Sequence, residues 1–452
     1  MAGTDAPEQF RMEPTRRTKT PRLCKTTTLP PASASTITII SQTQTFYKTE
    51  RPFMHSFTTF LRSTIFFPVI FLCLTSAPVN GVELNPPQAT QAELAEASYS
   101  EEKNLADLAA AFFDTSPEPT GDGLATGTLG KDGGAVEPVL AFADEIAAGT
   151  HGEVDSLLIS YHGKLIFESY YRRGRINYPH YQMSITKSYT ALAIGRAIQC
   201  GLLTMDDLER PVCDFLKELD PSQFTKGAAA ITLADVMTMR SGIRIPQAAI
   251  RQLRSDTKNS ALQRQVQFFF ERTSPIAPAP RDYKYQGTDP AITMQVLAAV
   301  VPGSARDFLK KELLQKLNIE QYDWSNDISG LPKSAAGSSM CSRDMMKWGH
   351  LVLYKGRLNG KQIIPAEFIE LATSPLCAPS DTNSYGFFFW QHDAMVDNTE
   401  TRCITYRGAG GQFIFIFPRY DVVAVVTSHN KGMGPLLKTL PGRLLPYFRE
   451  DS

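Results

Sequence analysis

The chain carries no surplus of charge: 46 lysines and arginines stand against 46 aspartates and glutamates over 452 residues. The basic residues are scattered rather than blocked. Neither balance nor clustering therefore points to nucleic acid or an anionic membrane surface as a partner. The seven cysteines form no CxxC pair and the seven histidines no HExxH, so no metal-ligand spacing stands out and no metal is expected. An odd cysteine count also argues against a dense disulfide framework. Gly130-Lys131 lacks the following Ser or Thr of a phosphate-binding loop, and nothing else calls for an organic cofactor. Gly-x-Ser-x-Gly is absent too. His429 follows a strand-like run, but no serine elbow precedes it, which disfavours a Ser-His-Asp hydrolase. No internal repeat is present.

Long apolar runs are scarce as well. The one that matters lies in residues 54–81, where Arg62 precedes an unbroken apolar stretch from Ile65 to Leu74, followed by small and polar residues. That layout matches a secretory signal peptide, and the run falls short of the roughly 20 apolar residues of a membrane span. Export to the periplasm or the cell exterior is expected, with translation starting at Met54. The alternative is an uncleaved anchor, which would be the chain's one contact with a membrane. Residues 1–53, rich in Thr, Ser and Pro, read as a disordered extension upstream of that start.

Hydrophobic residues make up 42% of the chain and aromatic residues 10%, enough for a sizeable core. Residues 82–134, with one candidate helix over 91–113 and a glycine-rich tail, read as a linker. "VEPVLAFADEIAAG" has helical periodicity ending at Gly149. "VDSLLIS-YHGK-LIFESYY" and "GQFIFIF-PRYD-VVAVVTS" read as hairpins at the two ends of the folded chain. Between them the sequence is mostly helical. The pattern predicts an α+β fold: an antiparallel sheet with flanking helices from 135–210 and 335–450, and an inserted helical region over 211–334.

Within this frame, "YQMSITKSYTALAIGRAIQCG" sets Ser184 three residues before Lys187, on one face of a helix closed by Gly201. A serine at a helix N-terminus feels a field that favours negative charge. A lysine buried beside it loses solvation and can serve as a neutral base. On these four residues alone a capping serine with a solvated lysine is the commoner arrangement, and only the wider context favours catalysis. Tyr285, in "YKYQGTD", could pass a proton to a leaving group, and "YRGAGGQFIFIF" puts small residues at a strand start where backbone N–H groups could meet a substrate oxygen.

Taken in order, Ser-x-x-Lys, aromatic-x-Tyr before a helix, and a glycine-rich strand start resemble the β-lactamase-related serine hydrolases. That family includes class C β-lactamases, D-alanyl-D-alanine carboxypeptidases, certain esterases and 6-aminohexanoate-dimer hydrolases. The resemblance runs from about 150 to 430 and takes in "ITLADVMTMRSGI", "GSSMCSRDMMKWGHLVLYKG" and "YGFFFWQ". It looks nearest to the 6-aminohexanoate-dimer hydrolases. It implies the β-lactamase/penicillin-binding-protein-like sheet and helical domain, and a small-molecule amide or ester substrate. Ser184 would then be the nucleophile that forms an acyl-enzyme, Lys187 the base and Tyr285 the proton shuttle. The oxyanion would lie between the backbone N–H of Ser184 and that of Ala409, with Gly411 the second choice. Tyr285-Gln286-Gly287 departs from the Tyr-x-Asn of the β-lactamases, and Tyr406-Arg407-Gly408 from their Lys-Thr-Gly. The second change puts β-lactamase or D-Ala-D-Ala carboxypeptidase activity behind an amidase or esterase, with Arg407 and Gly408 as candidate substrate contacts. A non-catalytic envelope sensor would not need all three of Ser184, Lys187 and Tyr285.

Overall fold

A computed structural model describes residues 85–448. The signal-like stretch at 54–81 and the extension at 1–53 lie outside the described residues. The described chain opens with two short helices, α1 (Gln91–Ala95) and α2 (Tyr99–Glu102), and two short strands, β1 (Phe112–Asp114) and β2 (Ala125–Thr126). Next come α3 (Val136–Ala147), the hairpin β3 (Val154–Tyr161) and β4 (Lys164–Tyr170), then β5 (His180–Tyr181) and α4 (Ile185–Gln199). The middle is helical: α5 (Leu233–Met237), α6 (Gln247–Ser255), α7 (Thr257–Ser260), α8 (Gln263–Arg272), α9 (Thr288–Val300) and α10 (Ala305–Leu309). It ends in β6 (Tyr322–Trp324) and β7 (Ser338–Met340), after which come α11 (Ser342–Leu353), β8 (Arg357–Leu358), β9 (Lys361–Gln362) and α12 (Ala366–Ala372). Six further strands and a helix complete it: β10 (Cys377–Ser380), β11 (Asn383–Tyr385), β12 (Trp390–Val396), β13 (Thr399–Gly408), β14 (Gln412–Phe417), β15 (Val422–Ser428) and α13 (Leu436–Leu444).

The main sheet runs β1-β4-β3-β15-β14-β13-β12-β11-β10, antiparallel throughout, with β2 added parallel to β4. Both expected hairpins form. His162 and Gly163 both take positive φ (47° and 74°), as a tight two-residue turn between right-twisted strands demands. Phe417 pairs with Val422 across the Pro418–Asp421 turn. Pairing of β15 with β3 joins the two ends of the folded region in mid-sheet.

Alternation along β14 divides the core. Phe413, Phe415 and Phe417 face α3 and α13, while Ile414 and Ile416 face the layer holding α4 and α11. Both faces are thus covered, which is why β3, β14 and β15 read as nearly continuous apolar runs.

The segment 82–134 departs from its reading as a linker. From residue 85 on it supplies β1 and β2, and Phe112 pairs with Tyr170 at the sheet edge. The helix expected over 91–113 is broken into α1 and α2. Thr90 and Ser98 each cap a new start, and Glu102 is drawn into the interior at 2% exposure to pair with His180.

Candidate active site

The local fold sets Ser184 apart from an ordinary helix start. It occupies the N-cap of α4, yet its hydroxyl makes no capping bond. The preceding Met183 has φ of 51°, a left-handed conformation that costs a non-glycine residue about 1 kcal/mol or more. β5 pairs with β7, and the Gln182 N–H donates to Ser338 O at 2.9 Å, which fixes the turn into the helix. The Ser184 N–H has no backbone partner among the described residues.

Lys187 is 5% exposed, so it is not the solvated lysine of the bland alternative. Its Nζ donates to Ser184 Oγ at 3.0 Å and to Ala335 O at 2.7 Å, and lies 4.6 Å from the centre of the Tyr285 ring. All three partners are neutral. Desolvation is thus uncompensated and lowers its pKa from 10.5 to about 7.

Tyr285 comes from the loop before α9. Its ring is 41% exposed and 5.8 Å from that of Trp390. Crowding by the surrounding protein raises the phenol pKa, and a hydrogen bond with Ser184 works the other way. The loop is held from beneath. Ser241, in the "RSG" that follows α5, donates to Asp289 Oδ1 at 2.9 Å, and Gln286 Nε2 donates to the same oxygen at 2.6 Å. Burial raises the Asp289 carboxyl pKa to about 6.

On the far side, the glycine-rich turn closes on the nucleophile segment. A Cβ on Gly408 would lie 2.4 Å from Gln182 O, so only glycine allows this approach. In the turn, the Gly410 N–H donates to Gly432 O and the Gly411 N–H to Gly408 O, at 2.9 and 3.2 Å. The Ala409 N–H has no backbone partner, which favours it over Gly411 as an oxyanion donor.

Residues 142–444 match the beta-lactamase family, about two-thirds of the chain. The chain belongs to the beta-lactamase family. An uncharacterized protein of Alkalihalophilus pseudofirmus is 23% identical over 278 residues, covering 55% of this chain and 73% of its own. Among solved structures, a Bacillus anthracis protein assigned as a 6-aminohexanoate-dimer hydrolase superposes with a TM-score of 0.53 at 19% identity, covering 74% of this chain and 88% of its own. EstCE1, a hydrolase with promiscuous acyltransferase activity, gives 0.52 at 14% identity over 69% and 97%. At these identities the superpositions establish the beta-lactamase fold.

Against the family's Lys-Thr-Gly strand, the departures have a physical outcome. Tyr406 is fully buried, donates to Trp348 O at 3.0 Å and packs against Tyr189. Among the described residues Arg407 makes no hydrogen bond to Ser184. Its guanidinium contacts Thr405 Oγ1, Asn383 Oδ1 and His392 Nδ1 at 2.8, 2.8 and 2.9 Å, and stacks on Trp390. Burial lowers its pKa to about 10. Arg407 thus underlies Trp390, whose ring is 5.8 Å from that of Tyr285.

Several residues escaped sequence reading. Ala335 holds the lysine through a backbone carbonyl, which has no sequence signal at all. Behind the glycine turn, His180 Nε2 meets Gln412 Oε1 at 2.5 Å, and Gln412 also binds the backbone of Ser428. His429 is held on Asp155 at 2.6 Å and stacks edge-on with His180, so it belongs to this supporting cluster.

Proposed function

We propose that the protein is a serine hydrolase that cleaves amide or ester bonds through an acyl-enzyme on Ser184. The observation that carries this is the 3.0 Å contact between Ser184 Oγ and a buried lysine that has no counter-charge. With its pKa near 7, Lys187 takes the Ser184 proton as Oγ attacks the carbonyl carbon. The oxyanion that forms is met by the N–H groups of Ser184 and Ala409. Tyr285, its phenol kept protonated, hands a proton to the departing nitrogen or oxygen as the bond breaks and recovers one from Lys187. Water then attacks the acyl-enzyme, gives a proton to the Tyr285/Lys187 pair, and releases the acid product with Ser184 restored. Within the enzyme the proton passes among Ser184, Lys187 and Tyr285, which the fold holds side by side.

The reading favours 6-aminohexanoate-dimer hydrolase-like or esterase-like chemistry. Recognition of a terminal carboxylate, as in β-lactams or D-Ala-D-Ala peptides, would lack a cation from the 406–408 strand, because Tyr406 is in the core and Arg407 is engaged. We also read the protein as exported, on the signal-like stretch at 54–81; N-terminal sequencing of secreted material tests this. For the chemistry, a fluorophosphonate probe is expected to label the wild type and not Ser184→Ala. A panel of p-nitrophenyl esters, a chromogenic cephalosporin, a D-Ala-D-Ala peptide and a linear aminohexanoate dimer is expected to show turnover with the esters or the linear amide. Equal labelling of both proteins would refute the assignment.

A further inference from the structure

A cleft of about 890 Å³ opens beside Tyr285, the right size for a small-molecule substrate. Tyr285 and Ala335 form part of its wall, so it is continuous with the groups around Lys187. Beyond them the lining turns apolar, with Ile243, Ile250, Leu253, Phe269 and Ala291. Among the polar groups that also line it, one is both deeply buried and unpaired. Gln265, on α8, is 4% exposed, lines the same cleft, and has a buried Oε1 without a hydrogen-bond partner. An unpaired buried amide is costly, and a side-chain amide both donates and accepts. The unpaired atom is the acceptor oxygen, so its complement is a donor such as an amide N–H or a hydroxyl.

The rim limits the choice further. Arg254, Lys284 and Lys333 line the cleft against a single carboxylate, Asp327, which already accepts from the N–H and hydroxyl of Ser329. A cationic arm would meet like charge on the way in.

Resting on the acyl-enzyme reading, we infer that this cleft binds an elongated, mainly aliphatic arm of the substrate that ends in a neutral amide or hydroxyl paired with Gln265. The apolar wall supplies affinity along the arm, and Gln265 reads its end. An arm ending in an ammonium group is discriminated against in this cleft, so the ammonium end of a linear aminohexanoate dimer would have to lie outside it.

The test uses the full-length protein and two ester series: p-nitrophenyl esters with acyl chains from acetyl to octanoyl, and acetate esters with alcohol chains of matching length. Each also includes chains ending in carboxamide, isopropyl and ammonium. In one series kcat/KM is expected to rise roughly fourfold per methylene. In that series the wild type should favour carboxamide over isopropyl by about tenfold, the worth of one net hydrogen bond, and disfavour ammonium. Gln265→Met should reverse the carboxamide-to-isopropyl ratio. A ratio of two substrates on one preparation is insensitive to the fraction of variant that folds. No length dependence in either series, or a ratio unmoved by Gln265→Met, overturns the inference. Loss of the acyl-enzyme reading is distinct: the acetyl ester would then be turned over alike by wild type and Ser184→Ala, or by neither.

Discussion

Two buried cations sit on two helices of this molecule, almost equally hidden from water, and their surroundings send them in opposite directions. Arg343 on α11 is 3% exposed and Lys187 on α4 is 5% exposed. Burial alone would lower both pKa values. At Arg343 the Glu168 carboxylate outweighs it, receiving Nε and Nη2 at 2.9 and 2.6 Å, with Asp122 at 3.4 Å, and the pKa is raised. At Lys187 the partners are a hydroxyl, a carbonyl and an aromatic face, so the penalty stands and the pKa falls to about 7. The same desolvation makes one site a clamp and the other a base; the counter-charge decides which.

The largest effect is expected from removing the unpaired cation. Lys187→Met should lower kcat/KM on the best ester by about 10⁴, the upper range for a positioned base, with thermal stability equal to or above wild type. A fall in stability with activity retained would erase the contrast with Arg343. Conversely, Arg343→Met should cost about 3–5 kcal/mol in denaturant unfolding, because Glu168, fully buried, is left as an uncompensated charge. Adding Glu168→Leu should recover most of that loss; if it does not, the pair is not the source of the effect.

Tyr285→Phe should lower kcat/KM by about 10²–10³, more on amides than on activated esters, because only a poor leaving group needs the proton. An identical loss on amides and p-nitrophenyl esters would make Tyr285 a packing residue. The smallest effect is a pH dependence. kcat/KM should rise through about pH 7 as Lys187 loses its proton. For stability the unfolded lysine holds its proton up to its ordinary 10.5 and the folded one only to about 7, so between those values the unfolded state binds more protons. Stability should therefore increase over that range, and Lys187→Met should abolish the increase. Urea midpoints measured at pH 7 and 10 for both proteins check it.

Much of this was legible in the chain. The hairpins at 154–170 and 412–428 follow from β-rich runs around His162-Gly163 and Pro418–Asp421, where the turn chemistry is local. Ser184, Lys187 and Tyr285 were found as a set, and the fold brings them into contact. Residues 85–134 were misread because their attachment depends on single contacts made at a distance, such as Glu102 with His180 and Phe112 beside Tyr170. The partners of Arg407 were not legible, because the direction of a strand side chain depends on the neighbours across the sheet, here Trp390 and His392.

By itself the sequence determined the element types, the antiparallel frame and the residue types able to carry acyl transfer. These rest on periodicity, turn residues and spacing, which act over a few positions. The tertiary structure alone decided that Lys187 would be buried without a carboxylate, and that Ala409 rather than Gly411 would keep a free N–H. It also placed Gln265 unpaired beside the cleft. Solvation and charge pairing are properties of everything packed around a group, and that surrounding is assembled from segments more than a hundred residues apart, as with Lys187 and Ala335.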